Sequence, residues 1–286
     1  MCDELHVVLD SISCAEETPL KDDPRCHVLK LIVRHGNVEW PDGERTLQEM
    51  FSMVDESGIL PATSQPPIGA MLELLTELCS RGKKVFFITC SSVLSGTYQT
   101  ACVAAKQVMS EIKGADIRVV DTKTCACPIS GIAMDVLEHA AKGVSMDELE
   151  AYANDLVHRT ETFFTVNTLE YLQKGGRIGA IGALIGNIFG IRPIAHIRKD
   201  GQLEIADKCR TRKKTLKRMI ELACSQGDVE KFYVAHADVY EEAAALYAEL
   251  QERCPGVPGL LTGIGTVLAA HLGPGVIGVF VKIKKT

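Results

Sequence analysis

Short apolar runs alternate with stretches whose apolar residues recur every three or four positions, and this alternation continues over most of the chain. Val7-Val8-Leu9 and Val28-Leu29-Lys30-Leu31-Ile32-Val33 read as early strands. Met71, Leu74, Leu75 and Leu78 fall at helical spacing, and Val85-Phe86-Phe87-Ile88 is a strand. Ala101, Ala104, Ala105, Val108, Met109 and Ile112 then line one helical face before a strand at Ile117-Arg118-Val119-Val120-Asp121. Strand followed by helix followed by strand is the pattern of an α/β fold with a largely parallel sheet. These units make a first domain, residues 1–159.

The second half has a different texture. Phe163-Phe164-Thr165-Val166 reads as a strand and leads into the glycine-rich stretch Lys174-Gly175-Gly176-Arg177-Ile178-Gly179-Ala180. Ile191 to Ile197 and Leu203 to Ala206 face each other across Lys199-Asp200-Gly201-Gln202, a hairpin signal. Helical spacing returns at Leu216, Met219, Ile220 and Ala223 and again at Ala243, Leu246, Tyr247 and Leu250, with strands at Phe232-Tyr233-Val234-Ala235 and Val276 to Val281. A hairpin beside strand–helix units predicts a mixed sheet, so residues 160–286 form a second α/β domain.

Composition fits this picture. The chain has 286 residues, 46% of them apolar and 24% charged, which suits two cores better than one. No apolar run approaches the roughly 18 residues of a membrane span. Met1-Cys2-Asp3-Glu4 is acidic and runs straight into a strand, unlike a secretion signal; the expectation is a cytoplasmic protein. A formal charge of −6 argues against general nucleic-acid binding. The eleven cysteines are scattered, several within apolar elements, and read as buried reduced thiols. Cys125-Ala126-Cys127 lacks a second pair at zinc-ligand spacing, so no metal site is expected.

The chemistry concentrates in Ile88-Thr89-Cys90-Ser91-Ser92-Val93-Leu94-Ser95-Gly96-Thr97-Tyr98-Gln99, where a strand enters a hydroxyl-rich turn that opens a helix. Such a turn offers hydroxyls and free backbone N–H groups at the positive end of a helix, a setting for a carboxylate or phosphate. No P-loop lysine and no Gly-x-Ser-x-Gly elbow accompany it, so it is suited to holding an acid rather than attacking one. At least one of Ser91, Ser92, Ser95 and Thr97 is expected to cap the helix, but four hydroxyls exceed what one helix start can use.

A second polar turn, Thr63-Ser64-Gln65-Pro66-Pro67, precedes the helix of Met71. Ser64 as an N-cap would account for it; alternatively Thr63 donates to the same anion, both turns meeting at the carboxyl ends of parallel strands. Arg177 lies among glycines that would let backbone approach a ligand, or it is a surface arginine. His271 is a hydrogen-bonded structural histidine or a ligand contact. Gly273-Pro274-Gly275-Val276-Ile277-Gly278 has dinucleotide-fingerprint spacing but enters a strand instead of leaving one for a helix, which excludes that reading. Lys208, Arg210, Arg212, Lys213, Lys214, Lys217 and Arg218 form a basic cluster, either a solvated face or a dock for a phosphate-bearing or acidic partner.

Thr-Ser-Gln-Pro at 63–66, Ser-Ser-Val-Leu-Ser-Gly-Thr-Tyr-Gln at 91–99, Leu-Glu-Tyr-Leu-Gln-Lys-Gly-Gly-Arg-Ile at 169–178, Ile-Arg-Pro-Ile at 191–194, Ala-His-Ala-Asp at 235–238 and His-Leu-Gly-Pro-Gly at 271–275 together resemble the DegV family in order and spacing over nearly the whole chain. The resemblance implies two α/β domains with a long-chain fatty acid between them, its tail in an apolar tunnel. It implies that Thr63 and Ser95 hold the carboxylate, that Gly96 and Thr97 lie beside it, and that Arg177, Arg210 and His271 flank it. Arg210 and Arg212 would contact phosphate or a partner. It further implies an ATP-dependent kinase subunit as partner, acyl-phosphate formation on that partner, and neither cofactor nor catalytic residue on this chain. Leu9-Asp10-Ser11-Ile12 departs from the family's Thr-Asp-Ser-Thr, and residues 34–43 follow its pattern loosely. The competing expectation is an acyl hydrolase or phosphotransferase with Ser92 or Ser95 as nucleophile and His271 as base.

Overall fold

The computed structural model describes residues 4–184 and 190–285. By packing, the chain forms two units: Met1–Ile32 with Ser64–His158, and Val33–Thr63 with Arg159–Thr286. The second unit therefore includes a segment from the first half of the sequence, where a single cut at residue 159 would assign 33–63 to the first.

The chain opens with β1 (Leu5–Asp10) and β2 (Cys26–Leu29), then leaves for the second unit through β3 (Ile32–His35), β4 (Val38–Pro41), α1 (Leu47–Ser57) and β5 (Ala62–Ser64). The run Val28 to Val33, expected as one strand, is thus two strands of different sheets. Ser11 Oγ accepts the Leu31 N–H at 3.2 Å, taking that backbone group out of ladder pairing at the break. Helix α1 starts on a reciprocal cap, Thr46 Oγ1 accepting from the Glu49 N–H and the Glu49 carboxylate accepting from the Thr46 N–H, and it stops at Gly58 (φ +69°).

The first unit resumes with α2 (Ile68–Ser80), β6 (Lys84–Thr89), α3 (Thr97–Glu111), β7 (Ile117–Asp121), α4 (Cys127–Ala140) and α5 (Met146–His158). Its sheet has the order β2-β1-β6-β7, and every pair is parallel. Val8, Val85 and Phe87 project to the face covered by α2 and α3 through Met71, Leu75, Ala101, Ala104 and Val108. Helix α4 lies against β1 and β6 and is buried along most of its length. Cover on both faces explains why the apolar stretch of β6 is a continuous run rather than an alternation.

The second unit continues with β8 (Thr160–Thr165), α6 (Glu170–Lys174), β9 (Arg192–Ile197), β10 (Leu203–Cys209), α7 (Arg212–Cys224), β11 (Val229–His236), α8 (Tyr240–Arg253), β12 (Gly259–Gly263), α9 (Thr266–Leu272) and β13 (Ile277–Ile283). Its main sheet has the order β10-β9-β8-β13-β11-β12, with antiparallel pairs up to β11 and a parallel pair β11–β12. This is the mixed sheet the hairpin implies, and β9 and β10 form that hairpin, turning at Gly201 (φ +83°). Phe163, Val234 and Val279 from the sheet and Met219, Ile220, Leu246 and Leu250 from α7 and α8 share one core. Strands β4-β3-β5 make a separate small sheet. Among the described residues no helix is long and apolar enough to cross a membrane.

Candidate functional site

In the first unit the Ser-rich turn sits at the carboxyl end of β6. Asp10, ending β1, accepts the Cys90 N–H at 2.9 Å, and the Ser91 N–H bonds the Thr124 carbonyl at 2.8 Å, so the turn is fixed from both neighbouring strands. Its hydroxyls are divided among different duties. Ser91 Oγ accepts from the Val93 N–H at 3.3 Å. Ser92 Oγ accepts from Lys123 Nζ at 3.3 Å, and Lys123 is itself ion-paired with Asp121. Ser95 Oγ accepts from the Thr97 N–H at 3.3 Å and shares a hydrogen bond with Thr97 Oγ1 at 2.9 Å.

At α3 one turn hydroxyl does bond the helix's first N–H, Ser95 accepting from Thr97, but from the position before the N-cap; at α2 the expected Ser64 cap is absent. The N-cap of α3 is Gly96, in αR geometry and without a side-chain hydrogen bond to its helix. At α2 the N-cap is Pro67, while Ser64 is an exposed residue of β5. The two prolines before Ile68 hold extended backbone up to the first helical residue, which displaces the cap position past Ser64. Gly96 answers to a close approach: a Cβ there would meet Gln65 Oε1 at 2.1 Å.

In the second unit Thr63, on β5, meets His271, on α9: Thr63 Oγ1 and His271 Nε2 are 2.7 Å apart. The imidazole is bracketed by the Gly-Gly-Arg turn after α6. A Cβ on Gly175 would lie 2.5 Å from His271 Nδ1 and 2.9 Å from the Tyr171 carbonyl, so the absent side chain makes room for the histidine. Gly176 (φ +72°) ends α6 in the left-handed region, and Arg177 Nη1 donates to the Gly175 carbonyl at 2.7 Å. Tyr171 fills the space a side chain on Gly273 (φ +76°) would take and receives Phe51 of α1 edge-on at 6.2 Å.

Burial, reinforced by the Arg177 charge, pushes the His271 imidazole down to about 4, so the ring is neutral at neutral pH. Its Nδ1 is buried without a hydrogen-bond partner among the described residues. A buried N–H without an acceptor is rarer than a bare lone pair, and a lone pair is the form the Arg177 charge favours. The proton therefore belongs on Nε2, which donates to Thr63 Oγ1. Thr63 then keeps its own proton as a donor.

The His-Leu-Gly-Pro-Gly segment is braced from behind. Asn167 Nδ2 donates to the Pro274 carbonyl at 3.0 Å and Arg212 Nη2 to the Gly275 carbonyl at 2.7 Å, while Arg212 also pairs with Glu242 at 2.8 Å. Arg218 pairs with Asp207 and Glu221, so the basic cluster is partly neutralised. Arg210 is exposed. Cys90, Cys125 and Cys127 are buried; burial, with the Asp10 charge, pushes the Cys125 thiol up to about 12. Among the described residues no group of three or more His, Cys, Asp or Glu is placed to hold a metal.

Thr63, His271 and Arg177 thus gather in one unit, and Ser95, Gly96 and Thr97 in the other. Sequence reasoning missed Gln65, Asn167, Tyr171 and Asp42, whose contacts lie far along the chain. The glycines at 96, 175 and 273 were the available signal, since each marks a place where another side chain enters.

A family model described as an uncharacterised protein of the DegV family matches residues 4–284. A DegV domain-containing protein of Clostridium acetobutylicum is 30% identical over 280 residues, 96% of either chain. Two solved structures superpose with the same completeness. A fatty acid binding DegV family protein from Streptococcus agalactiae gives a TM-score of 0.87 at 25% identity, over 98% of this chain and 99% of that one. DegV from Bacillus subtilis, described as a fatty acid binding protein, gives 0.85 at 28% identity over 98% and 99%. With the motif order, the parallel four-stranded and mixed six-stranded sheets and a match over nearly its full length in agreement, the chain belongs to the DegV family.

Proposed function

We propose that this protein binds a long-chain fatty acid without transforming it, and presents the carboxylate to an ATP-dependent kinase subunit that converts it to an acyl phosphate. The carboxylate accepts hydrogen bonds from Thr63 and Ser95, with Gly96 and Thr97 beside it and Arg177 and His271 flanking it; the exposed Arg210 faces the partner, whereas Arg212, committed to the Gly275 carbonyl and to Glu242, braces the His-Leu-Gly-Pro-Gly segment instead. The fatty acid binding described for the relatives from Streptococcus agalactiae and Bacillus subtilis supports the ligand class.

The observation that carries the reading is the Thr63–His271 pair. A neutral imidazole that donates through Nε2 fills one lone pair of the Thr63 oxygen and leaves the hydroxyl proton to point elsewhere, which makes Thr63 a donor suited to an anion. A hydrogen bond to a charged group contributes about 1.5 to 3 kcal/mol. A chain of roughly 14 methylenes offers on the order of 11 kcal/mol from burial before binding costs. The tail therefore supplies affinity and the hydroxyls fix which end faces the kinase.

A serine-nucleophile enzyme fits the geometry less well. Lys123, held by Asp121, donates to Ser92, and the His271 Nε2 that would act as base is committed to Thr63. The test is displacement of a fluorescent fatty acid by oleate from the wild type, Thr63→Val, Ser95→Ala and the double variant. Each single change is expected to weaken oleate about tenfold or more, with coupling between the two because they share one carboxylate. Unchanged affinity in both single variants would refute the carboxylate site.

A further inference from the structure

We infer that Asp42 is a positioning residue for the head-group site: it supplies in trans the N-cap that α9 lacks, and so sets the His271–Thr63 pair. Helix α9 is short, and its own N-cap position is Gly265, which has no side chain to bond the first N–H groups. A carboxylate from elsewhere in the chain takes that duty. Asp42 Oδ1 accepts from the Val267 N–H at 3.2 Å and from Thr266 Oγ1 at 2.9 Å. The N–H of the second helical residue is one of those an N-cap side chain ordinarily satisfies.

Two further observations show that the contact is built rather than incidental. Asp42 is only 3% exposed, in the turn that follows β4, and its Oδ1 is placed on both donors that open the helix. Gly265 is shaped to it as well: a Cβ there would lie 2.7 and 2.8 Å from the two carboxylate oxygens.

The same segment, 33–63, therefore grips α9 twice, with Asp42 at its first turn and Thr63 at His271 near its last. Strands β4 and β5, which carry Asp42 on its following turn and Thr63, lie on either side of β3, a separation of about 10 Å from the usual strand spacing. The rise from the first residue of α9 to His271 is about 8 Å, so the two grips match the helix they hold. Losing the first would let α9 fray and move the imidazole that orients the Thr63 hydroxyl. The functional consequence rests on the reading that Thr63 donates to the fatty-acid carboxylate; the clamp itself does not.

The experiment compares wild type, Asp42→Ala, and Asp42→Ala combined with Gly265→Asp. The double variant moves the cap into the helix's own sequence, where Gly265 already has the extended geometry of an N-cap (φ −74°, ψ 173°) and the carboxylate that would oppose a side chain is gone. Nitrogen-15 spectra of the histidines, with His271→Gln identifying the signal, report the neutral Nε2–H tautomer, and oleate displacement reports affinity. Asp42→Ala is expected to move the His271 resonances toward those of an ordinary exposed histidine and to weaken oleate about tenfold. The double variant is expected to restore both. Unchanged His271 spectra in Asp42→Ala would overturn the proposal. So would a folded double variant that fails to restore them. If Asp42→Ala unfolds, recovery of native circular dichroism and of the His271 signal in the double variant supports the clamp, and failure to recover counts against it. A wild type that takes up no oleate defeats the fatty-acid reading alone, because the histidine spectra still decide the clamp.

Discussion

Acidification should weaken this protein through His271. The imidazole is held down to about 4 in the folded chain by burial and by Arg177, against roughly 6.5 when exposed. Because the folded value lies below the unfolded one, the unfolded state takes up the proton first as pH falls. Stability is therefore intact above about pH 6.5 and is lost progressively down to about pH 4. Between about pH 7 and pH 5 the difference in proton uptake amounts to about 2 kcal/mol. Urea unfolding of wild type and His271→Gln at both pH values isolates it, since the other titrating groups are common to the two proteins. The variant's stability should fall by about 2 kcal/mol less across that interval. Equal losses would mean that His271 is accessible and protonates freely, and would remove the basis for treating Thr63 as a donor.

Four further substitutions probe the second unit more widely. Gly175→Ala puts a methyl 2.5 Å from His271 Nδ1 and 2.9 Å from the Tyr171 carbonyl, and should cost about 1 to 3 kcal/mol in thermal or urea melts while shifting the His271 nitrogen resonances. Lys282 is 1% exposed and pairs with Glu230 at 2.8 Å, while Glu230 also pairs with Arg159; Glu230→Ala should cost about 1.5 to 3 kcal/mol by removing a charge-assisted contact from both cations, and Lys282→Met less, because the buried charge goes with it. His196 bonds Glu161 at 2.9 Å and Glu204 at 3.0 Å; burial opposes its protonation, but the two carboxylates outweigh it and raise its value above the ordinary histidine range. Its contribution is complete below about pH 6.5 and disappears as pH rises through the folded value, so wild type should lose stability on alkalinisation relative to His196→Gln.

The parts of the fold written in local pattern were legible. The continuous apolar run of β6 and the helical spacing of α3 identify a covered parallel sheet, and Lys199 to Gln202 identifies a hairpin. What was not legible is membership. Nothing in the period of Val28 to Val33 tells which sheet each half joins, because partner strands and not intrinsic preference decide that; the journey of residues 33–63 into the second unit is invisible for the same reason. At the site, the hydroxyl turn and His271 stood out by residue type. Their pairing did not, since Thr63 and His271 are 208 positions apart and the Asp42 contact with Thr266 spans 224. The glycines at 175 and 176 suggested room for a ligand, whereas Gly175 makes room for the histidine and Gly176 ends a helix. Ser64 had the composition of a cap, and two prolines moved the helix start beyond its reach.

Native mass spectrometry of the protein purified from a bacterial host, followed by organic extraction, tests the central claim most directly. The prediction is one retained long-chain fatty acid per chain, exchangeable for added oleate and retained less by Thr63→Val. Protein that emerges bare and takes up neither palmitate nor oleate would contradict it.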